Sequence, residues 1–466
     1  MIGPRFASVA LPFLVSAAAC GDDASVVVRD VADASSSTDV AFPDATSDTV
    51  TPDTTVAPDT TVAPDTTVAQ DTSVAQDTSV VQDTSVVQDT SVVQDTSVAQ
   101  DTSVAQDTTG PTCITLPPGH ARHLVVARPY SEPDGDQADR WEVLPLLADA
   151  ALGAPVDVFT MDRAGFGELA FTADGALGFA PTDRGKLGIF ALDADGQATV
   201  LEAGLDLGPY VDRVQVDGDR LILVDGNWPA NGGGIYEVPL ACDGTLGAPA
   251  LLYATKNASA VVMRPDGSHL VAAREAVDAT FGAVHLVAPG APAWRRVDTA
   301  SPFDEDAILS TLVVTTNGRH ALVGDYQGMF DVPNRVAAIA LDGDALGDAQ
   351  VLSPVVDPFD FVVSPHGDVV LVVTGFDDAV RVLDYEPDRD DPFVDLGEPT
   401  YVTQRPQLPA DAMLVGGAWP TIALVAENQA LRRFRFDGDG DVTDLGRTAE
   451  GDDSYDAIPG AIGVQP

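Results

Sequence analysis

Two patterns of apolar and polar positions divide the chain near Cys113. Downstream of it, short runs of Val, Leu, Ile, Ala and Phe are broken by tight turns in which Asp, Asn or His precedes Gly. Phe171-Thr172-Ala173-Asp174-Gly175-Ala176-Leu177 is one such unit, and Met263-Arg264-Pro265-Asp266-Gly267-Ser268-His269-Leu270 is another. Thr315-Thr316-Asn317-Gly318-Arg319-His320-Ala321-Leu322 and Val363-Ser364-Pro365-His366-Gly367-Asp368-Val369-Val370 repeat the pattern. A β-rich run, a glycine turn and a second β-rich run predict a hairpin. Each hairpin is followed by a third apolar run (187–192, 283–288, 336–341 and 379–384) and a second polar turn such as Asp193-Ala194-Asp195-Gly196. A short fourth strand completes the unit. Four strands recurring about every 45 to 50 residues predict the blades of a β-propeller.

Fainter units opening at Val211 and Asp411 bring the count to six complete blades. The ends supply a seventh. His123-Leu124-Val125-Val126-Ala127 follows a Pro118-Gly119 turn as a second strand with no first strand before it, and residues 457–464 form a first strand with nothing after them. Pairing the two closes the ring and hides the edges that an open sheet exposes. The predicted fold is therefore all-β: a seven-bladed propeller of four-stranded antiparallel blades over residues 113–466, closed by its N- and C-terminal strands. With Pro265-Asp266-Gly267 and Ser364-Pro365-His366-Gly367 on its turns, this part resembles the WD40-like, TolB-like and lactonase-like seven-bladed propellers of bacteria. The resemblance implies the fold and leaves the chemistry open, because propellers host enzymes and passive scaffolds alike.

Upstream the pattern is different. Residues 20–112 are mostly Asp, Thr, Ser, Val, Ala, Pro and Gln, with Phe42 the one aromatic, and a hexapeptide of the type Pro-Asp-Thr-Thr-Val-Ala or Gln-Asp-Thr-Ser-Val-Val places an Asp at every sixth position from Asp53 to Asp107. One or two small apolar residues in each unit do not offset the backbone entropy of folding, so the segment is expected to be a disordered stalk. Its charges extend it, and ~90 residues at up to ~3.3 Å each reach at most roughly 300 Å. Residues 1–19 carry Arg5, an apolar run from Phe6 to Val15 and the small residues Ser16 to Ala19, the features of a secretory signal peptide. Ala17-Ala18-Ala19-Cys20 stands where a bacterial lipoprotein signal has its lipobox, which implies a mature chain acylated at Cys20. Gly21 and Asp22 after the anchor favour the outer membrane over retention at the inner one.

Charge and cysteine content narrow the partners. Lys and Arg number 24 against 72 Asp and Glu, so phosphate backbones are repelled and nucleic-acid binding is not expected. No run beyond residue 20 approaches the ~18 apolar residues of a membrane-spanning helix, which leaves the lipid anchor as the membrane partner. The chain is expected to be monomeric; Cys113 and Cys242 are its other cysteines, and in an exported chain they are candidates for one disulfide.

Candidate chemistry gathers on the loops that join second to third strands and one blade to the next, which share one face around the channel. An aromatic residue before a carboxylate recurs on the blade-to-blade loops, giving Asp212, Asp304, Asp306, Asp360, Asp411 and Asp456. A ring of such acids could hold Ca²⁺, which takes six to eight oxygens. Alternatively, each acid caps its own turn while the aromatics wedge between blades. The second-to-third strand loops add Arg128, Tyr130, Asp225, Trp228, Arg274, Asp325, Phe330 and Glu427 as a face for a ligand or partner, or as mutual ion pairs. Asp437-Gly438-Asp439-Gly440-Asp441 lacks the acid that an EF-hand needs at its twelfth position, Thr448; the six histidines, 120, 123, 269, 285, 320 and 366, form no spaced ligand set, and the four at or beside the first hairpin turns are expected at the surface or in turns. Two functions fit. The first is a cell-envelope binding or scaffold protein that presents the propeller on an acidic tether to a protein or glycan. The second is a lactonase-like or other metal-assisted hydrolase acting at the channel mouth.

Overall fold

A computed structural model describes residues 112–466 except 129–137, 166, 183, 227–232, 276–280, 304–306, 326–333, 353–357, 376, 429 and 449–460. Seven sheets follow one another around a ring, six of them wholly antiparallel. The second to seventh blades have innermost strands Ala170–Phe171, Val211–Asp217, Lys256–Met263, Leu309–Val314, Pro358–Val363 and Asp411–Gly416. Their outermost strands are Ala198–Leu205, Ala250–Ala254, Arg295–Ala300, Ala345–Leu352, Phe393–Gly397 and Asp441–Thr448. The first blade is built from both ends of the chain: Ala461–Val464, His123–Arg128, Ala138–Pro145 and Asp157–Asp162 pair in that order, and the two-residue strand Gly167–Glu168 adds in parallel to the inner edge of Ala461–Val464. The structure thus has the seven four-stranded blades and the closure read from the sequence. Among the described residues, no helix is long and apolar enough to cross a membrane.

The hairpin turns form for the reason their sequences suggest. Gly175, Gly267, Gly318 and Gly367 have φ between 69° and 82°, a left-handed conformation that glycine adopts without steric cost. The preceding Asp174, Asp266 and Asn317 accept the N–H two residues on, at 3.1, 2.9 and 3.0 Å. In the sixth blade His366 occupies that place, and Asp368 takes over the polar work by accepting from Ser364 Oγ (2.7 Å) and from Gly440 N of the next blade (3.1 Å).

No blade has a core of its own. The buried apolar residues fall into seven clusters, and each joins two consecutive blades. Alternation along a strand produces this directly. In Val369–Thr374, Val370 and Val372 face the fifth blade, while Val369, Leu371 and Val373 face the seventh. A strand buried on both faces reads as a continuous apolar run, which explains the wholly buried second strands. The outermost strand Ala198–Leu205 is instead half-buried or exposed throughout.

Closure rests on a short seam. Leu124, Val125 and Val126 pair with Val464, Gly463 and Ile462. Beside it Arg122 donates to three carbonyls, Gln465 (Nε, 2.8 Å), Gly416 (Nη1, 2.8 Å) and Val415 (Nη2, 2.8 Å), so one guanidinium ties the N-terminal segment, the C-terminal strand and the seventh blade together. Cys113 and Cys242 form a disulfide that fixes the N-terminal segment to the turn after the third blade's third strand, and Ile114 N bonds to Cys242 O at 3.0 Å.

The histidines correct the sequence reading. His123, His269, His285 and His320 are buried, because aromatic or amide partners cover them. His269 stacks on Trp294 at 4.2 Å between ring centroids, His320 Nδ1 meets the Tyr385 hydroxyl at 2.9 Å, and His123 Nδ1 meets Gln465 Oε1 at 3.0 Å.

Two outcomes follow for stability. Replacing Arg122 with Ala is expected to cost about 2 kcal/mol or more in urea unfolding, with Lys restoring only part because it lacks the three-way fork; an unchanged midpoint would contradict the clamp. Burial holds the His269 and His320 imidazoles below their ordinary value of 6.5. Their contribution to stability is therefore intact above pH ~6.5 and is lost as pH falls from there toward their lowered folded values. His269 Nδ1 has no hydrogen-bond partner, so His269→Phe should keep the stack on Trp294 and flatten the pH dependence of the urea midpoint between pH 7 and 5.

Candidate functional site

At the mouth of the channel the innermost strands share an irregularity. The pairing register of the third to sixth blades shifts near the start of the strand, leaving Asp212, Ser259, Ser310 and Phe359 as bulged residues. A bulge re-aims the side chains around it, and the residues that follow in three of these blades, Arg213, Thr311 and Asp360, form one polar network with the seventh blade.

Asp360 is its centre. Its Oδ1 accepts from Phe361 N (2.8 Å) and Thr311 Oγ1 (3.3 Å), and its Oδ2 accepts from Ala412 N (3.0 Å). The Asp411 carboxyl is hydrogen-bonded to it, and Asp411 Oδ1 also accepts from Ala412 N at 3.0 Å. Burial pushes the Asp360 carboxyl above its ordinary value, and the charge of Arg213 opposes that rise. Arg213 reaches over from the third blade and donates to Ser310 O of the fifth at 3.2 Å. Beside it, Gln215 Nε2 donates to Val261 O of the fourth blade at 2.7 Å. Asp212, Arg213, Ser310 and Asp360 are half-buried, and Gln215 is exposed.

The recurrence of an aromatic before an acid is not a recurrence of position. Asp212 is the bulged residue of its strand, whereas Asp360 is the residue after the bulge. Asp212 Oδ2 lies 1.5 Å from where a methyl group on Gly226 would stand, so only glycine fits opposite it. The aromatics press on glycines too: Tyr210 covers Gly185 of the preceding blade, and Phe359 covers Gly375. Asp304, Asp306 and Asp456 lie outside the described residues, as do Cys20, Tyr130, Trp228, Phe330 and the side chain of Arg274. Among the described residues, no three His, Cys, Asp or Glu side chains converge as a set of metal ligands.

The charged rim residues are tied into buried pairs. Arg128 bonds Glu142 through Nε and Nη2 at 3.2 Å, and Arg140 joins the same carboxylate at 2.7 Å. Asp325 accepts from Arg335 Nε (3.0 Å) and Nη2 (2.8 Å) on one oxygen and from Ile308 N (2.9 Å) on the other, with Arg335 lying over the Phe303 ring at 4.8 Å. Glu427 pairs with Arg432 (3.1 Å) and Arg447 (2.7 Å); burial pushes its carboxyl up while both guanidiniums pull it down. Arg432, fully buried, also bonds Asp444 (2.8 Å) and Gln404 O (2.7 Å), pinning the linker between the sixth and seventh blades. Asp225 is buried at the end of its strand, and its charge adds to burial in raising the Tyr236 phenol. Asp437 bonds Arg435 (2.5 Å) and Thr443, as a turn residue does.

Arg213, Ser310 and Thr311 were not among the sequence candidates. The available signal for Arg213 was its place beside Asp212 in an innermost strand. Its reach across the channel depends on the bulge, which leaves no mark in the residue pattern.

No protein-family model matches the sequence, and no curated protein does. Solved structures match in fold. The periplasmic gluconolactonase of Pseudomonas aeruginosa is 16% identical with a TM-score of 0.54, over 74% of this chain and 99% of that one. A candidate 6-phosphogluconolactonase from Bacteroides uniformis is 15% identical with a TM-score of 0.55, over 74% and 99%. A protein from Lactobacillus plantarum is 11% identical with a TM-score of 0.53, over 74% and 100%.

The raised Asp360 carboxyl fixes the sign of a pH effect. Its favourable contribution is complete below the ordinary value of 3.8 and is lost as pH rises through its folded value. Asp360→Asn removes that titration, so the wild type should lose stability relative to the variant as pH climbs from about 4 to 7. Urea midpoints across that range check this, and parallel curves would contradict a raised Asp360 carboxyl.

Proposed function

We propose that this protein is an exported, lipid-anchored propeller that binds a glycan or a sugar acid at its channel mouth. Acylation at Cys20 holds it on a membrane, the outer one by preference, and the stalk of residues 20–112 carries the propeller clear of the surface. The Cys113–Cys242 bond supports an oxidising compartment outside the cytoplasm. The observation that carries the binding reading is the polar lattice inside the mouth. Asp212, Arg213, Gln215, Ser310 and Asp360 offer carboxylate, guanidinium, amide and carbonyl groups on the third, fifth and sixth blades, none of them fully buried. Such a mixture of donors and acceptors matches the hydroxyls and carboxylate of a sugar acid. The buried ion pairs around it stiffen the rim, so the groups are held in place before a ligand arrives.

A second reading, hydrolysis of a sugar lactone, is favoured by the Asp360 and Asp411 pair facing Arg213, and by the gluconolactonases among the proteins of like fold. The chemistry balances with water as the only co-reactant. The ionised carboxyl takes a proton from water as the oxygen attacks the lactone carbonyl, and Arg213 faces the oxyanion. The protonated partner returns a proton to the ring oxygen as the C–O bond breaks, leaving the open-chain acid.

Calorimetric titration of the purified protein with gluconate and glucono-δ-lactone, paired with pH-stat recording of acid release, tests both. Binding that weakens about tenfold or more in Arg213→Ala is expected. Acid release above the spontaneous rate, abolished in Asp360→Asn, adds the hydrolase. Binding without release keeps the first reading and removes the second, and absence of binding by the folded protein overturns both.

A further inference from the structure

Where the third blade passes into the innermost strand of the fourth, two buried oxygens are left unbonded by the protein. Thr255 and Asn257 are 4% and 2% exposed, and neither Thr255 Oγ1 nor Asn257 Oδ1 has a hydrogen-bond partner. Polar atoms buried in this way are costly unless something satisfies them. Their surroundings are rich in oxygen. The Ala258 carbonyl and Asp212 Oδ2 stand 2.9 and 1.5 Å from the one point that a methyl group on Gly226 would occupy. The Asp225 and Thr255 carbonyls stand 2.7 and 3.2 Å from the corresponding point on Gly233, with Asn257 N at 3.1 Å. Gly226 and Gly233 flank the paired residues Asp225 and Gly234, so the two groups of oxygens adjoin. The Asp225 carboxyl is buried at the same strand end. The cation between Thr255 and Asn257 in sequence, Lys256, stands opposite Glu275 in the strand register.

Backbone carbonyls, one or two carboxylates, an amide oxygen and a hydroxyl are the ligand set of a hard divalent cation. We infer that Ca²⁺ binds here, between the third and fourth blades at the channel mouth, with Asp212, Asn257, Thr255 and the Ala258 carbonyl as ligands. The site is distinct from the Asp360 and Asp411 pair and does not depend on the sugar-binding reading. With so few formal charges its affinity falls in the range of extracellular modules, about 10⁻⁴ to 10⁻³ M. Bound there, the ion joins two neighbouring blades and holds the strand that carries Arg213.

The test uses the purified protein stripped with EDTA. Ca²⁺ titrated to about 10 mM should raise the thermal midpoint in a saturable way, and Tb³⁺ should give emission sensitised by Tyr236 and Tyr253 that Ca²⁺ displaces. Asp212→Asn and Asn257→Gly should each weaken both effects tenfold or more. The glycine keeps the left-handed backbone of Asn257, whose φ is 50°. Thr255→Val, isosteric at the hydroxyl, gives a variant independent of backbone strain. Asp360→Asn should bind as the wild type does. Superimposed melting curves with no sensitised emission would overturn the site, as would Ca²⁺ binding lost in Asp360→Asn and kept in the other three.

Discussion

The packing of each blade on its neighbours governs this structure. Every cluster of buried apolar side chains spans two blades, so no sheet is stable until both of its faces are covered. A linear array would leave two faces open, and only a ring removes them. Completing the ring requires Ala461–Val464 to pair with His123–Arg128, strands at opposite ends of the described chain. Leu124 and Val126 then join Ile462 and Val464 against the seventh blade, while Val125 and Ala127 join Ala461 against the second. The seam is short, and the Arg122 fork with the Cys113–Cys242 bond reinforces the segment that leads into it.

The channel mouth inherits its form from that ring. Arg213 of the third blade reaches Ser310 of the fifth, Thr311 of the fifth bonds Asp360 of the sixth, and Asp360 bonds Ala412 of the seventh. Each of these contacts crosses between blades, so the arrangement exists only while the blades keep their order and tilt. Outside it, Asp325 with Arg335 and Glu427 with Arg432 satisfy their charges within single blades. Breaking such a pair strands a buried charge, which makes each pair a local lock on its loop. The interior network has partly exposed members and spans several blades, and that difference is why the proposed ligand site is put there.

The blade pattern was legible in the sequence because turn chemistry and strand alternation are local. Asp174-Gly175 and Asn317-Gly318 announce their hairpins, and Val369-Val370-Leu371-Val372-Val373 announces a strand buried on both sides. The incomplete units at the two ends even disclosed the closure. The site was legible only in part. Asp212, Asp360 and Asp411 stood out as acids, yet a one-residue bulge separates Asp212 from Asp360 in register, and bulges are decided by three-dimensional packing. Arg213 went unnoticed because its partners lie about 100 and 150 residues away in the chain, on the fifth and sixth blades. The buried histidines were misjudged for a similar reason: His269 and His320 sit next to turns, and the rings that cover them, Trp294, Tyr385 and Phe393, come from distant segments.

The dependence of the mouth on ring closure is open to one direct measurement. Amide hydrogen exchange, followed residue by residue, can compare the intact protein with a chain ending at residue 460. The structure predicts that loss of Ala461–Val464 deprotects Leu124 to Val126 and also Ala412, whose N–H is held by Asp360 and Asp411. If exchange rises only along the vacated seam and Ala412 keeps its protection, the blades are stable without closure, and the account of a site created by the ring fails.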